Sequence, residues 1–202
     1  MPIIHLGGLF VDAPGTWKHI HERRYSTGAV FFLHTALLAL VPAICGYFGT
    51  TQTGWHIGAN VHKLTPASAG LIAVAYYFAM LGGALSVAWM TRWMSETYGA
   101  SQPLSQCLAL ASFSATPLFL VGALQSYPVL WINLLAALPA LGFSVYLFYI
   151  GVPVIMEIPP ERGFLFSSAV MGFGLIALVA MLVITVLLWG SGFAPAFTVG
   201  SS

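Results

Sequence analysis

Five stretches of this chain, residues 27–48, 69–92, 104–126, 129–150 and 164–189, carry no Asp, Glu, Lys or Arg in their interiors, Arg92 being terminal. Crossing a hydrocarbon core of about 30 Å takes roughly 20 mostly apolar residues in a helix. Each stretch is long enough to cross once. Lipid offers the backbone no hydrogen-bond partners, so a spanning segment satisfies its own by coiling into a helix. The expected fold class is therefore all-α: a polytopic membrane protein of five transmembrane helices with a short amphipathic N-terminal helix. The chain divides into an N-terminal segment 1–26, a five-helix domain 27–189 and a short tail 190–202.

Composition supports this solvent assignment. Hydrophobic residues make up 59% of the 202 and charged residues 5%, where a soluble domain has about 25% charged. With six Lys and Arg and a net charge of +1, there is no basic cluster to neutralise phosphates, which excludes nucleic acid as a partner. The first 26 residues are mixed in character, unlike a cleavable signal. Cys45 follows an apolar run, but the bulky Ile44 stands where a lipoprotein signal needs a small residue.

Orientation follows from the basic residues, which collect in cytoplasmic loops. Placing the N-terminus in the cytoplasm puts Lys18, Arg23, Arg24, Arg92 and Arg162 inside and only Lys63 outside. Trp89, Trp93, Tyr98, Tyr146 and Tyr149 then mark the inner interface, and Tyr127, Trp131 and Trp189 the outer one. With an odd number of spans the C-terminus is then expected outside. Cys45 and Cys107 fall near opposite faces, too far apart for a disulfide.

Helices in lipid associate through small residues and interhelical hydrogen bonds. Ala75, Ala79 and Gly83 recur every four residues on the second span, as do Ala136, Ala140 and Ser144 on the fourth; Ser168 and Gly172 are spaced likewise on the fifth. Packing inside the bundle is the first expectation for these stripes, and a contact face for another protein the alternative. Pro42, Pro117 and Pro139 lie within spans and each removes a backbone hydrogen bond. Ser112, Ser114 and Thr116 beside Pro117 can satisfy freed carbonyls, so a kink is expected in the third span.

Apart from the terminal Arg92, His34 is the one side chain of the Asp, Glu, His, Lys and Arg set within a span. Proton pumps and ion-coupled transporters carry ionisable residues along their pathways, so those classes are disfavoured. His34 is read as a neutral hydrogen-bonding residue between helices, with a contact to a neighbouring subunit's cofactor as the alternative. His56 and His62 have no standard metal spacing, and no catalytic, metal or cofactor constellation is expected.

Two segments outside the spans stand out. Pro14 can open a helix over residues 14–26, with Trp17 and Ile20 on one face and Lys18, Arg23 and Arg24 turned to lipid headgroups. That is an interfacial helix, or else a docking site. Between the last two spans, Pro153, Pro159 and Pro160 are expected to stiffen the loop 151–163. Glu157, Glu161 and Arg162 give it both signs of charge, for a rigid connector or a recognition surface.

The run YLFYIGVPVIMEIPPER at 146–162, with Ala115-Thr-Pro117, Tyr98-Gly99, Pro14 and Trp17-Lys-His-Ile20, resembles the bacterial branch of the Yip1 domain family over roughly residues 12–190. The resemblance implies a five-helix fold with a cytoplasmic N-terminus. Eukaryotic members associate with small GTPases, but their Asp-Leu-x-Gly-Pro motif is absent here, so a GTPase partner is not expected. The expected function is a non-enzymatic membrane scaffold or accessory subunit that binds other integral membrane proteins and lipids. Alternatives are permeation or handling of a neutral solute or lipid, and membership in a redox or photosynthetic complex.

Overall fold

The computed structural model describes residues 6–57 and 60–198, nearly all of them helical. Two short helices come first, α1 (Leu6–Val11) and α2 (Ala13–Arg23). After them come α3 (Thr27–Thr53), a hairpin of β1 (Trp55–Ile57) and β2 (Asn60–His62), and α4 (Pro66–Thr97). The chain continues through α5 (Leu104–Ser114), α6 (Thr116–Ser126), α7 (Leu130–Met156) and α8 (Pro160–Gly192). Helices α3, α4, α7 and α8 are each long and apolar enough to cross a membrane, and α5 with α6, bent by 41° at their junction, bring the candidate spans to five if the pair counts as one. The kink expected beside Pro117 is that bend. Residues 1–5 and 199–202, the outermost parts of the two terminal segments, lie outside the described residues.

Local chemistry explains where the helices begin. Asp12 Oδ1 accepts the Gly15 N–H at 3.0 Å, Ser26 Oγ the Ala29 N–H at 3.2 Å, and Thr65 Oγ1 the Ser68 N–H at 3.4 Å. Each side chain satisfies a donor that the first helical turn leaves open. Pro14, Pro66 and Pro160 stand in first turns, where the missing N–H costs nothing.

The helices outrun the apolar stretches, and this corrects one reading. The segment 151–163 is not a proline-stiffened loop: only Glu157–Pro159 is non-helical. Pro153 sits inside α7 and Pro160 starts α8. Gly163 makes room for the Pro153 ring, since a Cβ there would come within 2.8 Å of Pro153 Cγ. The turn is closed by Glu157 in a left-handed conformation, φ 54°, its N–H bonded to the Pro153 carbonyl.

A second correction concerns the N-terminal helix. It exists, running from Ala13 to Arg23, but its apolar face does not lie in the lipid interface. Trp17 and Ile20 are fully buried in the bundle, so Trp17 is available neither to lipid nor to a partner. Helix α2 packs along α7.

The core sits toward the end of the bundle that carries Arg23, Arg24, Arg92 and Arg162, called the basic end below. Its centre is α5, where nine of eleven residues, Gln106–Ser114, are buried among α3, α4 and α7. The contrast is α8. Only 6% of its most apolar stretch is buried, against 39% for α3, and its large side chains from Leu175 to Trp189 are exposed. It is held at its two ends. Tyr98 meets Phe166 edge-on at 5.3 Å. At the far end the tail returns to the hairpin, with the Thr65 N–H on the Ala196 carbonyl and the Thr198 N–H on the Lys63 carbonyl.

Candidate functional site

Polar side chains converge where the third span breaks. Residues Phe31–Ala36 of α3 form a wide π turn, an irregularity that shifts the helix face by an extra residue and recurs at functional sites. It places His34 and Thr35 against the α5–α6 junction. There Pro117 has no N–H to give, and the helix bends at Ala115. His34 Nε2 lies 3.0 Å from Thr116 Oγ1, whose hydroxyl also reaches the Ser112 carbonyl at 3.4 Å. Thr35 Oγ1 donates to Ser112 Oγ at 2.7 Å. All four side chains are fully buried, and the His34 ring rests on Phe113 at 4.1 Å.

This junction is built from hydrogen bonds among His34, Thr35, Ser112 and Thr116, with no Asp, Glu, Lys or Arg among them. A His nitrogen 3.0 Å from a threonine hydroxyl is the spacing of a base and its nucleophile. Sealed on every side, however, the pair has no route for a substrate. Its evident work is to tie α3 to the bend. Interhelical hydrogen bonds in membranes average about 0.6 kcal/mol and reach about 1.7. Thr116→Val is therefore expected to lower stability by about 1 kcal/mol in reversible unfolding from mixed micelles; no loss would show that the bond contributes nothing.

From the junction a ladder of contacts leads to the basic end. Phe113 meets Trp17 edge-on at 6.5 Å. Trp17 lies over Gly151, where a Cβ would come within 2.7 Å of the indole and 2.8 Å of Leu110. One turn on, His21 Nε2 is 2.9 Å from Glu157 Oε1, and Gln106 Nε2 donates to the His21 carbonyl at 3.2 Å. Around this pair Arg23, Arg24, Pro159, Pro160, Glu161 and Arg162 are exposed. Glu22 approaches His19 at 3.8 Å.

The structure places His34 of α3 beside Thr116 of α6. Ser112 and Thr116 were legible as partners for the kink. Thr35, Gln106 and Gly151 were not singled out; adjacency to His34 pointed to the first, and nothing local distinguished the others. The small-residue stripe of α4 departs from its first expectation. Ala75 and Gly83 are exposed, Ala79 is half-buried, and a Cβ on Gly83 would meet nothing within 4 Å. Pro153 is packed on Gly163 and half-buried.

Two apolar grooves open on the lipid-facing surface. One of about 570 Å³ lies at the bend, between Phe10, Pro117, Leu120, Pro139 and Phe143. The other, about 450 Å³, runs between Phe31 and Phe32 on one side and Tyr77 and Phe78 on the other. Among the described residues no three His, Cys, Asp or Glu side chains come together as a metal site.

Comparison with known proteins agrees with the architecture. The Yip1 domain family matches residues 8–194. The chain is 34% identical over 190 residues to the inner membrane protein YohC of Escherichia coli K12, covering 94% of this chain and 97% of that protein. The same figures hold for YohC of Escherichia coli O6:H1. No solved structure matches.

Proposed function

The chain belongs to the Yip1 domain family, and from that membership we propose that it is a non-enzymatic scaffold or accessory subunit that associates with other integral membrane proteins. The observation that carries this reading is the pair of helix faces the bundle leaves unused. Helix α8 is exposed around its whole circumference from Leu175 to Leu188 apart from the half-buried Thr185. On α4, Ala75 and Gly83 offer a shallow surface on which another helix can approach closely. At the basic end Arg23, Arg24, Pro159, Pro160, Glu161, Arg162 and the exposed edge of Glu157 add a rigid surface of mixed charge. The bacterial inner membrane is the proposed location, as for the YohC relative, with the basic end and N-terminus in the cytoplasm and the C-terminus outside.

The test is site-specific photo-crosslinking in native membranes. A photoreactive side chain at position 75, 79 or 83 is expected to yield a discrete protein adduct, and one at the exposed Leu134 of α7 only lipid. Lipid adducts alone at all four positions would overturn the proposal.

Handling of a neutral lipid or solute is a second reading, favoured by the groove at the bend. It predicts lipid exchange or solute flux in liposomes containing this protein alone, which a scaffold does not give. The redox or photosynthetic reading loses its residue-level support, because His34 is fully buried and engaged with Thr116 and cannot reach a neighbour's cofactor.

A further inference from the structure

The end of α4 and the start of α8 meet at the basic end. Tyr98, which closes α4, stands edge-on to Phe166 at 5.3 Å. The Arg162 guanidinium lies over Gly99, where a Cβ would come 3.8 Å from Nη1. Each helix brings one cation and one anion to this meeting, Arg92 and Glu96 on α4, Glu161 and Arg162 on α8. All four side chains are exposed. They sit where α4 leaves its apolar stretch and α8 enters its own, the level at which lipid headgroups lie. Around them Trp89, Trp93, Phe164 and Leu165 are also exposed, so the charged surface runs directly into an apolar one.

These four charges do not satisfy one another. Among the described residues the ion pairs are His19–Glu22 and His21–Glu157, and none of the four side chains enters a hydrogen bond. Helix geometry gives the reason. Adjacent residues such as Glu161 and Arg162 do not face each other, and an Arg four residues before a Glu is the weaker order for a pair. Both signs are therefore free for an outside partner. A guanidinium holds a phosphate through two parallel N–H bonds, and a carboxylate accepts from an ammonium N–H. A purely anionic headgroup would leave Glu96 and Glu161 unanswered, and a quaternary ammonium has no N–H to give them. The chemistry that answers both signs is a phosphate joined to a primary ammonium. The exposed aromatic and aliphatic side chains beside it favour a molecule with apolar tails over a soluble peptide.

We propose that the meeting of α4 and α8 is a binding site for a zwitterionic phospholipid headgroup. Its phosphate rests on Arg92 and Arg162 and its primary ammonium on Glu96 and Glu161, as phosphatidylethanolamine would supply. Gly83 lies about 14 Å back along α4 at 1.5 Å per residue, so the site does not depend on the association proposed through that face. It gives Glu161 and Arg162 a lipid rather than a protein partner.

The test is native mass spectrometry of the full chain, stripped of lipid in detergent. It is titrated with phosphatidylethanolamine, phosphatidylcholine and phosphatidylglycerol of identical acyl chains. The first is expected to bind about fivefold more tightly than either other, the upper range for a water-exposed ion pair. Glu96→Gln with Glu161→Gln is expected to remove the preference over phosphatidylcholine and to raise phosphatidylglycerol to the same level. Arg92→Ala with Arg162→Ala is expected to weaken all three, and Lys63→Ala at the opposite end to change none. Equal binding of the three lipids by the unaltered protein would mean ordinary lipid contact and would overturn the proposal. So would a preference for phosphatidylglycerol, which needs only positive charge, or a phosphatidylethanolamine preference that survives both double variants. Should the variants fail to fold, the unaltered protein gives a second reading. Its unfolding midpoint in mixed micelles is expected to rise more with phosphatidylethanolamine than with phosphatidylcholine, and an equal rise would sink the idea.

Discussion

Gly49→Ala is expected to destabilise this protein by about 2 kcal/mol, the largest loss for the addition of one methyl group anywhere in the bundle. Glycine inside a helix is ordinarily unfavourable, and alanine in its place gains up to about 1 kcal/mol. Here the added Cβ would overlap the backbone carbonyl oxygen of Gln125, an atom that cannot swing aside as a side-chain tip can. Overpacking of this kind costs typically about 1–3 kcal/mol, and more where backbone must shift. The clash therefore outweighs the propensity. Gly122, a turn earlier on the partner helix, is in the same position against Pro42 of α3. Both glycines belong to one crossing of α3 and α6, so the double variant is expected to cost less than the sum of the singles. Reversible unfolding in mixed micelles checks both points. Stability equal to wild type in Gly49→Ala would mean that α3 and α6 do not cross this closely.

The second large effect is on assembly rather than stability. Gly83→Leu is expected to leave the unfolding midpoint of the purified protein unchanged or slightly raised, because a side chain at this position meets nothing within 4 Å and leucine is the better helix former. In native membranes the same substitution is expected to abolish the protein adduct formed from position 75, since a leucine keeps the neighbouring backbone from approaching. Position 79, half-buried, is a poorer site for the experiment because it confounds fold and assembly. Loss of stability in Gly83→Leu would show that this face is already used inside the bundle. An intact adduct would show that the partner docks elsewhere.

These three glycines illustrate how far local sequence reaches. Gly83 stands in a recognisable stripe and was expected inside the bundle, yet the structure leaves it open. Gly49 and Gly122 belong to no stripe and let α3 and α6 cross closely. The candidate junction was half legible: His34 is the only histidine within a span, and Ser112 and Thr116 lie just before Pro117. The seat of Trp17 was not. The segment 13–23 reads as an amphipathic helix, and amphipathicity alone does not say whether its apolar face meets lipid or protein.

What the sequence determined by itself is the all-α membrane class and where along the chain the apolar helices fall. Partition into lipid is a local, additive property of each apolar stretch, and a helix satisfies its backbone without help from the rest of the chain. What only the tertiary structure decided is which faces are buried, that α5 is the centre and α8 the periphery, and that the N-terminal helix inserts beside α7. In water a buried face announces itself by contrast with a polar one. Here lipid and core are equally apolar, so α4, α7 and α8 show no such contrast along their lengths, and packing is settled by shape and a few hydrogen bonds.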